Sequence, residues 1–354
     1  MKYAVRIPAF WQATMTGREL GEKSKILARK IQRIVDSIPG EMGVSVRLVG
    51  HGSVVEVNSD EKFPLASVYK VPLMATLFHK AEQGEIDLDE RLTLREEDKS
   101  LGNNDLQFFR AGLNLTLFDL CYEMIVHSDN TATDMIHYRL GLDAPEEYMA
   151  SIGLDSFELG CPCREYYFLL IGWADRFKGR RLREIAETWK KMTREERNKA
   201  FAEIREQNRN SSMLEAQRRA IELWGLADEK ETREDRLVSS ALDNFGSPRH
   251  ISMLLEQIVT NKIACPVNTS QMIDFMLLCD TRDRLPAKLP PSVLIANKTG
   301  TVPGTINDCA VIYASKKNTF CCSCLSKNVK YADMKKVEDS IANIALAAYL
   351  AFKK

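Results

Sequence analysis

Segments with strand character lie near the two ends of this 354-residue chain, and a long helical region separates them. Near the amino terminus, residues 44–49 and 54–57 are β-branched runs joined by Gly50-His51-Gly52, a pattern typical of a hairpin. Three further strands are predicted close to the carboxyl terminus, at residues 293–297, 309–314 and 320–325. Because short strands need partners, we expect both ends of the chain to complete one five-stranded antiparallel sheet.

Helical patterns surround and separate these strands. Apolar residues recur at helical spacing over residues 17–38 and 332–352, and helical stripes cover much of residues 67–140. We therefore predict an α+β fold, a five-stranded antiparallel sheet flanked by helices plus an all-α domain. The predicted boundaries are 17–62 and 245–354 for a discontinuous α/β domain and 63–244 for the all-α domain, which includes a charged helical insertion at about 164–240.

The charged insertion stands out by composition, because half of the residues from 175 to 236 are charged. An apolar stripe that includes Trp189 continues through it, and Thr193-Arg-Glu-Glu196 and Ser212-Met-Leu-Glu215 are capping boxes that predict further helices. Two roles are open for this segment. It is a surface decoration with solvated helix faces, or it is a lid over an active site.

Charge and hydropathy remove several classes of partner. The 49 basic side chains equal the 49 acidic ones, so the polybasic surface of a nucleic-acid binder is not expected. No apolar run reaches the roughly 20 residues that a bilayer span needs. Residues 1–11 lack the continuous apolar core of a signal peptide. The chain as written is thus expected in the cytoplasm, or in the periplasm or outside the cell if a signal has been removed.

Cysteine and histidine usage does not predict a metal site. The chain has nine cysteines, an odd number that suits reduced, buried thiols and a reducing compartment better than a disulfide framework. Cys161-Pro-Cys163 and the cysteines of residues 321–324 lack the paired spacing of zinc ligands. Of the histidines, only His127 falls beside a motif discussed below. With no glycine-rich phosphate loop in the sequence, we expect no metal and no other cofactor.

Three short motifs carry chemistry. Ser67-Val-Tyr-Lys70 is an S-x-x-K sequence at the start of a predicted helix, Ser128-Asp-Asn130 lies between two helices, and Lys298-Thr-Gly300 ends a predicted strand. Each motif occurs by chance in many proteins. Their order, together with the fit of each to its helix, loop or strand, is specific.

These residue types suit nucleophilic catalysis. A serine hydroxyl is a poor nucleophile at neutral pH and needs a base. Residues three apart share a helix face, so Lys70 is expected beside the Ser67 hydroxyl. A lysine serves as a base only when its pKa is lowered, and burial or the second cation, Lys298, would lower it. Ser128 suits a proton relay to the leaving group.

The same motifs predict groups that bind substrate. The backbone N–H groups of Ser67 and Thr301 are placed to form an oxyanion hole. Asn130 and Thr299 would hydrogen-bond an acyl-amide side chain and a carboxylate, respectively. The predicted substrate-binding set is Asn130, Lys298, Thr299, Gly300 and Thr301.

About two thirds of the chain resembles the class A β-lactamases and penicillin-binding proteins. The resemblance rests on Phe63-Pro-Leu-Ala-Ser67, Ser128-Asp-Asn-Thr-Ala132 and Lys298-Thr-Gly-Thr301. It implies an α/β domain packed on an all-α domain with the active site between them. It also implies an acyl-enzyme on Ser67, formed from a small-molecule β-lactam or a peptide-like substrate. The oligomeric state stays open.

The sequence departs from this family in one loop. Class A β-lactamases carry there a glutamate, and an asparagine four residues later, that position the hydrolytic water. Glu165 falls close to the expected place, but the fourth residue after it is Leu169. The resemblance thus makes Glu165 a candidate deacylation base. The alternative is an exposed carboxylate in a rebuilt loop.

Three functional hypotheses follow from the motifs and the resemblance. The first is a serine hydrolase that is acylated at Ser67 by a β-lactam and deacylated through Glu165. The second is a D-Ala-D-Ala peptidase or esterase of the same fold. The third is a covalent β-lactam binder or sensor in which deacylation is slow.

Overall fold

The structure, a computed structural model, describes residues 17–102, 105–224, 236, 238 and 241–353. Residues 1–16, which the expectation about a signal concerns, lie outside this part of the chain. So do residues 225–235 of the charged insertion. Among the described residues, no helix combines the length and the apolarity needed to cross a bilayer.

The strands form one large sheet and two short ladders. Their bounds are β1 (Glu41–Leu48), β2 (Gly52–Val57), β3 (Phe63–Pro64), β4 (Arg91–Thr93), β5 (Asn114–Thr116), β6 (Phe245–Gly246), β7 (Leu294–Val302), β8 (Thr305–Tyr313) and β9 (Thr319–Lys327). The large sheet is antiparallel with the order β2-β1-β9-β8-β7. The predicted five-stranded sheet built from both ends of the chain is confirmed, and β1 against β9 is the pairing that joins the two ends.

Helices cover both faces of the sheet and fill the middle of the chain. Their bounds are α1 (Gly17–Asp36), α2 (Lys70–Glu82), α3 (Leu117–Val126), α4 (Asn130–Leu140), α5 (Ala144–Ser151), α6 (Cys163–Leu170), α7 (Leu182–Lys191), α8 (Arg194–Gln207), α9 (Met213–Trp224), α10 (Pro248–Val259), α11 (Pro266–Leu277) and α12 (Met334–Phe352). The terminal helices α1 and α12 pack together on one face, whereas α10 and α11 cover the other.

Side chains on β9 show why each face finds a helical partner. Phe320, Cys322 and Cys324 join the core beneath α1 and α12, whereas Cys321 and Leu325 point into the core shared with α10. This is the alternation of a strand buried on both sides. It also separates the neighbouring thiols onto opposite faces. Of the nine cysteines, seven are buried, Cys163 is half-buried and Cys265 is exposed.

The inserted helices have an apolar core of their own. Trp189 of α7 and Phe201 of α8 are buried at its centre, with ring centroids 4.9 Å apart. The predicted capping box at Thr193 is confirmed, because its side chain accepts from the Glu196 backbone N–H at the start of α8. This core lets the charged faces of α7 and α8 stay in solvent.

A narrow neck joins the two ends of this helical segment. Asn244 is buried, and its Oδ1 accepts the backbone N–H groups of Gly160 and Cys161 at 2.9 and 3.0 Å. Its Nδ2 donates to the Cys161 carbonyl at 3.0 Å. A backbone bridge between Glu158 and Phe245 follows directly. The two ends of the helical segment are therefore fastened to each other at Asn244.

Some element boundaries differ from the predictions. Strand β7 continues through the K-T-G motif to Val302, instead of ending before Lys298, because its residues pair with β8 along the whole motif. Two short ladders, β3 with β6 and β4 with β5, are not among the predicted strands. The predicted domain boundaries, 17–62 with 245–354 and 63–244, stay a prediction.

Candidate active site

Ser67 lies in a short 3₁₀ turn, Ala66–Tyr69, that connects β3 to α2. Ala66 has a φ of 45°, in the left-handed region that residues with a side chain seldom adopt. Its backbone N–H donates to Asp243 Oδ2 at 3.0 Å, which helps to hold this conformation. The turn leaves the Ser67 side chain half-buried at the wall of a cavity.

Gly300 brings strand β7 against the Ala66–Tyr69 turn that carries Ser67, which we call the nucleophile turn. A Cβ atom at this position would lie 2.5 Å from the Leu65 carbonyl oxygen and 3.1 Å from the Ser67 nitrogen. Only glycine permits such an approach, because real Cβ atoms do not come this close to backbone. The side chain of Asn307, on β8, ties the same turn to the sheet by donating to the Pro64 and Leu65 carbonyls.

Lys70 is fully buried and makes a set of hydrogen bonds at the first turn of α2. Its Nζ donates to the Ser128 carbonyl at 2.6 Å, to Asn130 Oδ1 at 2.8 Å and to Ser128 Oγ at 3.2 Å. Burial lowers the pKa of Lys70 to about 8, and the nearby Lys298 charge acts in the same direction. A fraction of this amine is therefore neutral near pH 7.

Lys298 reaches the same serine from the sheet. It is also fully buried, and its Nζ donates to Ser128 Oγ at 3.0 Å and to the Thr299 carbonyl at 3.2 Å. Burial lowers the pKa of Lys298 as well. Ser128 Oγ thus accepts from two lysines, and its own proton is left to be donated elsewhere.

Asp129 fixes the loop that presents Ser128 and Asn130. It caps α4, because its Oδ1 accepts from the Ala132 backbone N–H at 2.8 Å and its Oδ2 accepts from that of Leu106 at 3.0 Å. Ser128 has a φ of 59°, a second left-handed residue at the site. The Asn130 amide donates to the Leu101 carbonyl at 2.9 Å, which sets the orientation in which its Oδ1 meets Lys70.

The backbone N–H of Thr301 points away from β8, beyond the edge of the sheet. Thr301 is opposite Ile306 in the ladder, but both backbone groups of Ile306 bond to the Ser326 hydroxyl on β9. Thr301 and Ile306 are therefore a non-hydrogen-bonded pair, in which the backbone groups face outward. Since β7 is an edge strand, this N–H is directed to the side where Ser67 lies.

Arg284 anchors the edge strand from behind, and it is a residue that no sequence motif pointed to. It is buried, its Nη1 donates to the carbonyls of Gly300 and Asn307 at 2.9 and 2.7 Å, and its Nη2 donates to Thr301 Oγ1 at 2.7 Å. A planar guanidinium suits this branched contact. It belongs to no motif although it lies only 14 positions before Lys298, so motif spacing gave no signal for it.

A cavity of about 870 Å³ collects these groups. The predicted site residues Ser67, Ser128, Asn130, Thr299, Gly300 and Thr301 line it. His127 lines it too, and its Nδ1 lies 2.5 Å from Asp280 Oδ2. Lys70 and Lys298 lie buried behind this wall. A cavity of this size accommodates a small organic molecule.

Comparison with known proteins agrees with this geometry. Residues 25–352 match the family model described as the beta-lactamase enzyme family. The chain belongs to this family. Beta-lactamase SME-1 of Serratia marcescens is 30% identical over 140 residues, which make up 39% of this chain and 47% of that protein. The chain thus spans about half the length of this curated β-lactamase.

Solved structures show the same β-lactamase fold over almost the whole chain. PBP-A matches with a TM-score of 0.65 and 21% identity, over 92% of this chain and 95% of PBP-A. A beta-lactamase from Sphaerobacter thermophilus matches with a TM-score of 0.63 and 21% identity, over 93% of this chain and 96% of that one. A variant of PBP-A has been solved as an acyl-enzyme complex with penicillin G.

Glu165, the candidate deacylation base taken from the β-lactamase resemblance, does not line this cavity. Its side chain is fully buried beside α4, where Asp134 and Tyr138 interact with it electrostatically, and the Arg205 guanidinium lies 3.6 Å from its Oε1. Burial raises the pKa of Glu165. Tyr138 follows Asn130 by two turns of α4, about 12 Å along the axis. The exposed carboxylate considered as the alternative is not found either, and the role of Glu165 stays a prediction.

Helix α9 of the charged insertion adds a wall that the β-lactamase resemblance does not include. Gln217, Ala220 and Ile221 line the cavity beside Ser67. Gln217 Nε2 donates to Gln107 Oε1 at 2.9 Å, which links the helix to the opposite rim. Of the two roles left open by the sequence, this placement favours a cover over the site.

Two further residues at the site were missed by motif reading. Tyr167 lines the cavity, and its side chain hydrogen-bonds that of Asn130. Asp243 lies beside Ala66, on the segment that returns from the insertion. Neither belongs to a known motif, and Asp243 is 176 positions from Ser67 along the chain, so that only the folded structure reveals it.

Proposed function

We propose that this protein is a serine hydrolase of β-lactamase type, which opens a β-lactam ring by acylation of Ser67 and then hydrolyses the acyl-enzyme. The observation that carries this proposal is the convergence of two buried lysines on Ser128 Oγ at the wall of the cavity that Ser67 lines. Family membership and the penicillin complex of a PBP-A variant support the same substrate class.

Acylation begins with proton transfer from Ser67. Lys70, one helical turn from Ser67, accepts the proton in its neutral form, for which its lowered pKa of about 8 suits it. The Ser67 oxygen then attacks the lactam carbonyl carbon. The negative charge that develops on the carbonyl oxygen is stabilised by the N–H groups of Ser67 and Thr301.

Ring opening requires a proton on the departing lactam nitrogen. Ser128 Oγ can donate its own proton, because the two lysines already occupy it as an acceptor. Lys70 in its protonated form then returns a proton to Ser128, and the C–N bond breaks. The product of this half-reaction is an ester on Ser67.

The binding groups fit a compact anion that carries an amide. Lys298 supplies a buried positive charge beside Thr299, which suits the substrate carboxylate. Asn130 lines the cavity with an amide that can bond an acylamino side chain. Gly300 and Thr301 provide the strand edge against which such a side chain lies.

A decisive experiment follows Ser67 by mass spectrometry. The protein is mixed with a chromogenic cephalosporin or penicillin G, and both the colour change and the adduct mass are recorded. We expect turnover by the native protein and an adduct that maps to Ser67. The Ser67→Ala variant should form no adduct, whereas Ser151→Ala, at an exposed serine of α5, should behave as the native protein does.

The outcomes separate the three hypotheses. Turnover through a transient Ser67 adduct supports the hydrolase. An adduct that persists for hours would indicate the covalent binder, and absence of any adduct would leave a peptidase or esterase acting on other substrates. An adduct that survives Ser67→Ala would contradict the mechanism.

A further inference from the structure

A second, much smaller cavity adjoins Ser67 on the side of the nucleophile turn. Its volume is about 40 Å³, and Ser67, Asn130 and Tyr167 line both this cavity and the larger one. A cavity holds a water molecule once the space open to a water-sized sphere reaches about 10–15 Å³, and the water needs polar partners to remain in a buried site. The small cavity therefore has the size and the polar lining for a single water molecule next to the nucleophile.

Asp243 provides a carboxylate in this small cavity. Its Oδ2 accepts the Ala66 backbone N–H at 3.0 Å, and its Oδ1 accepts the Asn244 backbone N–H at 2.7 Å. These bonds fasten it to the residue that immediately precedes Ser67. A carboxylate has about four acceptor sites, so two bonds leave capacity for a water molecule.

The surroundings of Asp243 suit a group that exchanges protons at neutral pH. Burial raises the pKa of Asp243 to about 7, and no salt bridge to it is found in the described part of the chain. Tyr69 and Tyr166 also line the small cavity. The titratable groups on which the Asp243 charge acts are Cys161, Cys163 and Tyr167. Burial raises the pKa of each of these three, so they stay neutral near pH 7 and add no charge.

Burial raises the pKa of Glu165 too, but its position and its partner differ from those of Asp243. It lines neither cavity, and an arginine contacts its carboxylate. Its burial against Tyr138 places it further along α4 than Asn130. A water molecule in the small cavity would meet Asp243 rather than Glu165.

We propose that Asp243 is the general base of deacylation, which rests on the proposed acylation of Ser67. The water in the small cavity gives a proton to the Asp243 carboxylate, and its oxygen bonds to the acyl carbon. When the tetrahedral intermediate collapses, the bond between that carbon and Ser67 Oγ breaks. The proton passes from Asp243 to Ser67 Oγ, so that one water is consumed and the free serine and a carboxylic acid are formed.

The test compares three variants of the 354-residue chain after acylation by penicillin G. The adduct on Ser67 is formed in a short pulse, free penicillin is removed, and loss of the adduct is followed by mass spectrometry. We expect the Asp243→Asn variant to be acylated and then to release the product at least about 100-fold more slowly than the native protein, because loss of a general base has an effect of this size. Asp155→Asn, at an exposed aspartate outside both cavities, should deacylate as the native protein does.

The third variant, Glu165→Gln, tests Glu165 as the alternative deacylation base. If that variant traps the adduct while Asp243→Asn releases it at the native rate, the proposal is overturned. A native protein that forms no adduct would instead contradict the proposed function, so the two failures are distinguishable.

The pH dependence of the native protein covers the case in which Asp243→Asn does not fold. The base must be deprotonated to act, so the deacylation rate should fall about tenfold per pH unit below 7 and level off above it. This profile should persist in Glu165→Gln. A deacylation rate that is flat from pH 5 to pH 9 in the native protein would overturn the proposal without any variant.

Discussion

Two ammonium groups meet at one hydroxyl oxygen in this protein. The Nζ atoms of Lys70 and Lys298 lie 3.2 and 3.0 Å from Ser128 Oγ, and both side chains are fully buried. Burial disfavours the charged form of each lysine, and the charge on Lys298 further lowers the pKa of Lys70. At the residue scale, a base is therefore made from a side chain that is ordinarily an acid at neutral pH.

This arrangement predicts the pH dependence of acylation. Lys70 must be neutral to accept the Ser67 proton, so the acylation rate should rise about tenfold per pH unit up to about pH 8 and then level off. The measurement is the rate of adduct formation in rapid-mixing experiments with a chromogenic cephalosporin. A rate that continues to rise to pH 10 would show that Lys70 keeps its ordinary pKa.

A substitution at Gly300 tests the close approach of β7 to the nucleophile turn. Gly300→Ala places a Cβ 2.5 Å from the Leu65 carbonyl oxygen, so the strand or the turn must shift. We expect a loss of about 1–3 kcal/mol in the free energy of unfolding, measured in urea, together with slower acylation.

Gly21 of α1 provides the matched control, because a Cβ there meets nothing within 4 Å. Gly21→Ala should leave acylation unchanged and stabilise the helix by up to about 1 kcal/mol. Equal stability and acylation of the Gly300→Ala and native proteins would contradict the role assigned to Gly300.

At the scale of elements, helix α9 carries two exposed apolar side chains, of which one lines the cavity and the other does not. Ile221 is exposed but lies on the cavity wall, whereas Leu214 is exposed outside it. Both belong to one helix, so they share the same backbone environment. Replacing each of them by serine separates the effect of losing a contact at the cavity wall from the effect of making the helix surface more polar.

We expect Ile221→Ser to weaken selection for substrates with a large apolar acyl group. The kcat/KM for penicillin G, relative to that for 6-aminopenicillanic acid, should fall about tenfold, because a lost apolar contact of this size is worth about 1–2 kcal/mol. Leu214→Ser should leave the ratio unchanged. If both variants shift the ratio equally, α9 does not contact the substrate.

The elements show what a sequence can predict and what it cannot. The strands and the terminal helices were predicted because alternation and helical spacing are local properties of the chain. The ladder of β3 with β6 was not, since each strand has two residues and they are about 180 positions apart. The extension of β7 to Val302 was missed because Lys298 and Gly300 are poor strand formers, and the pairing with β8 overrides that preference.

For the molecule as a whole, the three short motifs predicted more of the site than strand alternation and helical spacing did. Ser67, Ser128, Asn130 and Thr301 share one cavity as expected. The expected partner of Lys70, the Ser67 hydroxyl, is not among its hydrogen bonds, which go to Ser128 and Asn130, because the buried lysine folds toward the loop before α4. Asp243, Tyr167 and Arg284 carry no motif, and folding alone brings them to the site.

The neck at Asn244 has a consequence for how such a protein can change. The segment from Cys161 to Asn244 is a loop whose ends are already fastened to each other. The entropy of closing a loop grows only with the logarithm of its length, about 0.6 kcal/mol per doubling. Lengthening or replacing helices α7, α8 and α9 therefore alters the wall over the substrate at a small cost in free energy, while the neck keeps Asp243 and the nucleophile turn in register.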